Sequence, residues 1–139
     1  MSTSGHLDQW ELSDDEQRAL RRLGEVIIKT STKFDTKGGG TELCTDSSLN
    51  PILSEVLVVL NIRTLFGSKP SGNSIWRISG PASRPFENLP GPAYLFPIRI
   101  HNGRLPTISD KPVNVKTATT ILEPIIITPG LDFLVIMTM

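Results

Sequence analysis

The sequence predicts an α+β fold in which a twisted, mainly antiparallel sheet carries one or two helices and the loops are rich in proline and glycine. Glycine and proline contribute 11 residues each to a chain of 139, which favours many turns and short elements. Several stretches alternate apolar with polar residues, and two others open with helix capping signals. We expect one domain over residues 13–139, preceded by a mobile acidic arm over residues 1–12.

The first helix opens with a Ser-x-x-Glu capping box at residues 13–16. The apolar stripe that follows predicts a helix over residues 14–23, which stops before Gly24. Residues 26–34 then alternate between apolar and polar side chains, so a strand is predicted there. One helix that continues to about residue 29 remains an alternative.

Residues 35–48, DTKGGGTELCTDSS, are predicted to form a flexible connection with three consecutive glycines. A phosphate-binding loop would place its glycines between a strand and a helix and would end in Gly-Lys-Ser/Thr. Neither condition is met, so the glycines indicate a loop that needs positive φ angles.

The second helix is predicted over residues 50–65. Asn50 suits the N-cap, Pro51 suits the first helical position, and Gly67 follows the last turn. Apolar residues cover so much of its circumference that the helix is expected to be nearly buried or to lie against a partner. Its valines leave a buried strand as the alternative.

The remaining segments are predicted to be strands and turns. Residues 74–79 form a short strand, while residues 80–93 hold four prolines and form a surface loop. Residues 94–100, YLFPIRI, alternate as a strand in which Pro97 indicates an edge position or a bulge, and an Asn-Gly pair at 102–103 favours a tight hairpin turn. Three more strands are predicted in the segments VNVKTATTIL, EPIIIT and LDFLVIMTM.

Residues of the kinds used in catalysis and metal binding are few. His6 and His101 are the two histidines and Cys44 is the one cysteine, which is too few for a usual zinc site. Cys44 and His101 are a conceivable nucleophile–base pair, but nothing near Cys44 indicates activation. We therefore expect no enzyme activity, no cofactor and no small-molecule substrate. Without a signal sequence or a long apolar run, an intracellular protein with no transmembrane segment is expected.

Charge is unevenly distributed along the chain. Residues 1–46 hold nine acidic and six basic residues, a net charge of −3, whereas residues 63–116 hold eight basic and two acidic residues, a net charge of +6. Bases and apolar side chains are interleaved in the second span, which suits binding to a polyanion or to anionic lipid. A solvated face is the alternative. The residues predicted to contact an anion are Arg77, Arg84, Arg99, Arg104, Lys111 and Lys116.

Residues 91–106, GPAYLFPIRIHNGRLP, resemble a segment of vesiculovirus-type rhabdovirus matrix proteins. In that segment a Gly-x-Ala-Tyr-Leu run is followed by a proline, an arginine, a glycine and a second proline. The order of the predicted elements is also similar to theirs over roughly residues 25–128. The matching positions are Gly91, Ala93, Tyr94, Leu95, Pro97, Arg99, Gly103 and Pro106.

The resemblance implies a non-enzymatic, self-assembling matrix protein of the virion and of the host cytoplasm, where it would be a peripheral membrane protein. Such proteins bridge viral ribonucleoprotein, or its RNA, and the anionic inner membrane leaflet during budding. Their N-terminal arm is usually lysine-rich with a Pro-Pro-x-Tyr motif, whereas this arm is acidic and has neither, so residues 63–116 would make the anionic contact. Phe86 and Tyr94 are predicted to mediate self-association. The alternative is a small nucleic-acid-binding or adaptor module without a membrane role.

Overall fold

The computed structural model describes residues 8–29, 32–36, 40–60, 70–80, 84–86, 93–101, 103–121 and 124–138. They form an α+β fold, which confirms the predicted class. The helices are α1 (Asp14–Ile27) and α2 (Asn50–Leu60), and a short 3-10 helix (Ser47–Leu49) precedes α2. The strands are β1 (Asp8–Glu11), β2 (Phe34–Thr36), β3 (Thr41–Cys44), β4 (Pro70–Ile78), β5 (Arg84–Phe86), β6 (Ala93–Ile100), β7 (Thr107–Ile108), β8 (Lys111–Pro112), β9 (Thr117–Ile121), β10 (Ile125–Ile127) and β11 (Leu131–Thr138).

The strands form two antiparallel sheets. The larger sheet has the order β1-β9-β6-β11-β4-β3-β2, and the smaller has the order β5-β10-β7-β8. Strand β11 lies in the middle of the larger sheet, where it pairs with β4 on one side and with β6 on the other. One hydrophobic cluster joins the helices to the larger sheet, and a second joins the two sheets. The described residues therefore form three layers, with the larger sheet in the centre.

Strand β11 is buried on both faces because it lies in this central layer. Leu134 and Ile136 pack in the cluster under the helices, whereas Leu131, Phe133 and Val135 pack against the smaller sheet. This alternation explains why the segment LDFLVIMT is almost continuously apolar in sequence, as strands covered on both faces usually are.

Helix α1 is longer than predicted. Its capping box forms as expected, since Glu16 N donates to Ser13 Oγ at 3.2 Å and Ser13 N donates to Glu16 Oε1 at 2.8 Å. The helix then continues through Gly24 to Ile27, close to the alternative of one helix to about residue 29. The strand predicted over residues 26–34 is wrong, since among its described residues only Phe34 belongs to a strand. Gly24 does not end the helix but lets it approach β6, because a Cβ there would meet Ile98 Cγ2 at 3.1 Å.

Part of the predicted mobile arm over residues 1–12 is instead a strand, because Asp8–Glu11 form β1. Strand β1 pairs with β9 at the edge of the larger sheet. Trp10 meets the Tyr94 and Phe96 rings edge-on, with centroids 6.1 and 6.0 Å apart, and Leu12 is buried. Aromatic burial and backbone pairing therefore hold this segment against the sheet. Residues 1–7 lie outside the described residues.

Strand β6 is not an edge strand, because it pairs with both β9 and β11. The alternative indicated by Pro97, a bulge, is confirmed: Phe133 lies opposite Pro97 and Asp132 lies opposite Arg99, so Ile98 is the extra residue.

The turn after β6 forms, but it is not a hairpin turn. Arg104 N donates to His101 O at 3.1 Å, and Gly103 has a φ of 74°. The flanking strands β6 and β7 belong to different sheets, so the turn carries the chain from one layer to another. Asn102 itself lies outside the described residues.

Two segments predicted as loops contain strands. In residues 35–48, β3 pairs with β2 and with β4, and Gly40 has a φ of 83°. In residues 80–93, β5 pairs with β10 at an edge of the smaller sheet, where a proline is tolerated because one side of the strand has no neighbour.

Helix α2 begins at the predicted residue, but Asn50 is not its N-cap, because its φ and ψ of −53° and −42° are helical and the preceding 3-10 helix is capped by Asp46. The helix is described to Leu60, and the predicted end at residue 65 lies outside the described residues. Val56 and Leu60 are buried, whereas the side chain of Val58 is 78% exposed and that of Val59 is 40% exposed. The helix therefore buries one face against the fold and presents two valines to solvent.

Candidate functional site

A buried carboxylate gathers two arginines and a histidine at one end of the larger sheet. The side chain of Asp132 is fully buried. Its Oδ1 accepts from Arg77 Nε at 2.9 Å and lies 2.8 Å from His101 Nε2. Its Oδ2 accepts from Arg77 Nη2 at 3.2 Å and from Arg99 Nε at 3.3 Å. These four residues are called the Asp132 cluster below.

The strand register builds the cluster. Asp132 on β11 lies directly opposite Arg77 on β4 and Arg99 on β6, and directly opposite residues point to the same face of a sheet. The bulge at Ile98 is needed for this arrangement. In a regular strand Arg99 would share a face with Leu95, which packs toward the smaller sheet.

Arg77 mainly joins parts of the fold. Besides its two bonds to Asp132, its Nη2 donates to the carbonyl oxygen of Ile27 at 3.0 Å, at the C-terminal end of α1 where a cation is favoured. Its guanidinium carbon lies 4.1 Å from the centroid of the Phe34 ring. Arg77 thus connects α1, β2, β4 and β11. Contrary to the prediction, it does not form part of an open basic surface.

The cluster carries more positive than negative charge, since one carboxylate faces two guanidinium groups. The side chain of Arg99 is 38% exposed and contacts Asp132 through Nε. Among the described residues, no partner is found for Arg99 Nη1 or Nη2. The outer edge of this guanidinium therefore remains available to an anion.

A second group of cations lies in residues 103–116, called the basic segment below. Arg104, Lys111 and Lys116 are exposed there, and no acidic side chain among the described residues pairs with them. Leu105 lies between them in sequence and is 93% exposed. The segment also includes β7 and β8, which are joined by a turn in which Ser109 and Asp110 have φ angles of 47° and 70°.

The structure separates the six residues predicted to contact an anion. Arg77 and Arg99 lie in the Asp132 cluster, and Arg104, Lys111 and Lys116 lie in the basic segment. Arg84 belongs to β5, and its side chain lies outside the described part of the chain. The sequence pattern therefore grouped cations in different environments. Two of them bind a buried carboxylate, whereas three are exposed to solvent.

Of the two residues predicted for self-association, Tyr94 cannot provide a free surface. It is buried in the cluster under the helices, and that burial raises the pKa of its phenol. Its alternation with Phe96 and Ile98 reflects a core face. Phe86 belongs to β5, and its side chain lies outside the described residues.

Sequence reasoning did not single out Asp132. A signal was present, because it is the one charged residue in the apolar run LDFLVIMT. A charge in a strand that is buried on both faces requires partners, and the arginines of the basic span could have been considered for that role.

The structure does not support Cys44 and His101 as a nucleophile–base pair. Cys44 is on β3, two strands away from β11, and His101 directly follows β6 and contacts Asp132. Cys44 lines an open cleft of about 290 Å³, and none of the described residues that line it is a histidine. Burial raises the pKa of the Cys44 thiol, which disfavours the nucleophilic thiolate.

The described residues offer neither a cluster of metal-binding side chains nor a membrane-spanning helix. No group of three or more His, Cys, Asp or Glu side chains in this part of the chain could hold a metal ion. No helix in the same part is long and apolar enough to cross a membrane.

Comparison with known proteins does not assign a family. No protein-family model matches the chain, and no curated protein matches it significantly.

Proposed function

We propose that this chain is a non-enzymatic, self-assembling structural protein of viral matrix type, which bridges ribonucleoprotein and the inner membrane leaflet during virus assembly and budding. In this proposal the basic segment makes the contact with the anionic membrane surface. The observation that carries the proposal is the 93% exposure of Leu105 next to Arg104, in a segment with two further exposed lysines for which the described residues offer no acidic partner. The residues 91–106 that resemble matrix proteins extend into this segment.

The chemistry of the basic segment suits a membrane surface. A cation near anionic lipid is worth about 1 kcal/mol. Burying a leucine side chain is worth roughly 1.5–3 kcal/mol. Three cations and Leu105 together give about 5 kcal/mol, which corresponds to a dissociation constant on the order of a few tenths of a millimolar. One copy would therefore bind weakly, and stable attachment requires several linked copies.

Self-assembly in this proposal uses the helical layer. Val58 and Val59 of α2 are exposed, and Val59 borders an open cleft that is also lined by residues of α1. The α1 residues there include the acidic pair Asp15 and Glu16 and the basic residues Arg18 and Arg22. Arg18 pairs with Asp15 and Arg22 with Glu55 within one copy, so the exposed valines supply the contact with a second copy in this proposal.

Vesicle flotation tests the proposal. We expect the protein to float with phosphatidylserine vesicles at low salt, and to float less as salt is raised, because the charges are screened. A Lys111→Glu/Lys116→Glu variant and a Leu105→Ser variant should both float less. A Val58→Asp variant should also float less and should have a lower mass by light scattering, because it loses the linked copies.

Two control variants are matched to these changes. Lys33→Glu reverses an exposed charge just before β2, at the edge of the larger sheet opposite to β1, and Ile28→Ser removes an exposed apolar side chain just after α1 that does not line the cleft at Val59. Both should float as the parent does. Absence of flotation at low salt, or equal flotation with phosphatidylcholine alone, would overturn the proposal. RNA binding with a steep salt dependence but no flotation would instead support a nucleic-acid-binding module.

A further inference from the structure

We infer that Arg99 and Arg104, beside His101, form a binding site for a phosphomonoester group. The inference goes beyond the matrix proposal and does not depend on it, because it concerns recognition of one compact anion. It rests on how Asp132 orients Arg99, on where the turn after β6 places Arg104, and on the charge that remains.

Asp132 holds Arg99 in a defined orientation. Arg99 Nε donates to Asp132 Oδ2, and the same carboxylate is fixed from the other side by two bonds from Arg77. Because the guanidinium is planar, the bond at Nε turns the edge that carries Nη1 and Nη2 away from Asp132. This edge can give two parallel hydrogen bonds to phosphate oxygens, and it is already oriented before the ligand arrives.

The turn after β6 brings Arg104 to the same end of β11. His101 N donates to Gly130 O at 2.8 Å, and Arg104 N donates to His101 O at 3.1 Å. The aliphatic part of the Arg104 side chain lies against Gly130, in the space that a Cβ would occupy. Gly130 is two residues before Asp132, so the Arg104 side chain passes the same end of β11 at which Asp132 holds Arg99.

The local charge favours an anion. Three arginines, Arg77, Arg99 and Arg104, are offset by the buried Asp132 and by Glu42, which lies opposite Arg77 on the side away from Arg99. The remaining positive charge is thus on the Arg99 and Arg104 side. Two guanidinium groups around one anion suit a doubly charged phosphomonoester better than a singly charged phosphodiester.

Titration with inorganic phosphate at constant ionic strength, followed by amide chemical shifts in NMR spectra, tests the inference. We expect saturable shifts at residues 99–104 and 130–132. Arg99→Gln should weaken binding about tenfold or more, the effect of losing one bidentate charge-assisted contact. Arg104→Gln should weaken it by a smaller factor, and Arg21→Gln, which removes an exposed cation of α1, should leave it unchanged.

A second arm distinguishes free phosphate from a lipid headgroup. Vesicles containing phosphatidic acid carry a phosphomonoester, whereas vesicles of phosphatidylserine at equal charge density do not. Preference for phosphatidic acid that disappears in Arg99→Gln identifies a headgroup site, and phosphate binding without that preference identifies a soluble ligand.

The inference is overturned if chloride produces the same shifts as phosphate, or if Arg99→Gln binds phosphate as the parent does. Because Arg99 is partly exposed and Arg77 also holds Asp132, this variant should keep the dispersed spectrum of a folded protein. Failure of phosphate binding would leave flotation through the basic segment intact, so the two proposals fail separately.

Discussion

The Asp132 cluster and the basic segment use arginine and lysine in opposite ways. In the cluster, cations are partly buried, oriented by a carboxylate and joined to three strands and a helix end. In the basic segment, cations are exposed and have no acidic partner among the described residues. The difference shows that a positively charged span of sequence can contain residues that stabilise the fold beside residues that are available to a partner.

The largest loss of stability is expected from removing the Asp132 carboxylate, which holds the cluster together. Asp132→Ala should lower the free energy of unfolding by about 3–5 kcal/mol, because Arg77 would keep a partly buried charge without its partner. Urea denaturation measures this loss. Asp35→Ala removes an exposed carboxylate from β2 and should change stability by less than about 0.5 kcal/mol. A loss below about 1 kcal/mol for Asp132→Ala would contradict a structural role for the cluster.

An intermediate effect is expected at Gly130, where the two regions meet. Gly130 has a φ of 110°, and a Cβ there would overlap the Arg104 side chain. Gly130→Ala should cost about 1–3 kcal/mol, by thermal or urea unfolding. Gly103→Ala is the matched control, since Gly103 also has a positive φ but a Cβ there would meet no atom within 4 Å. Equal losses for both variants would mean that Arg104 moves aside without cost.

The smallest effect on stability is expected in the basic segment itself. Lys111→Ala and Lys116→Ala should each change the free energy of unfolding by less than about 0.5 kcal/mol, because exposed cations without partners contribute little to folding. Their flotation with anionic vesicles should still decrease. Destabilisation above about 1 kcal/mol would show that these lysines have structural partners and would make the two regions alike.

Much of the fold could be predicted from local pattern. The capping box located the start of α1, and the continuous apolar run located β11, since both signals lie within the segment itself. The end of α1 could not be predicted locally, because Gly24 is explained by the approach of Ile98 from a distant strand. Strand β5 pairs with β10 and β3 pairs with β4, and both partners are remote in sequence, while β2 and β3 are joined by glycines. Local pattern therefore could not predict these pairings.

Less of the candidate site than of the fold could be predicted from the sequence. Alternation placed Arg99 on the face opposite to Phe96, but the bulge at Ile98 returns it to the face of Asp132. A single extra residue in a strand has no reliable local signal apart from Pro97 next to it. Arg104, Lys111 and Lys116 are exposed because they lie outside the central sheet, and their contact with an anion stays a prediction.

The position of β11 also has a consequence for biosynthesis. It follows every other described strand in the chain, yet it lies between β4 and β6. While the ribosome has not yet released residues 131–138, both of those strands have an unpaired edge and uncovered apolar side chains. The nascent chain is therefore open to edge pairing with other chains during this interval. Completion of the larger sheet must be a late event, dominated by contacts between residues far apart in sequence.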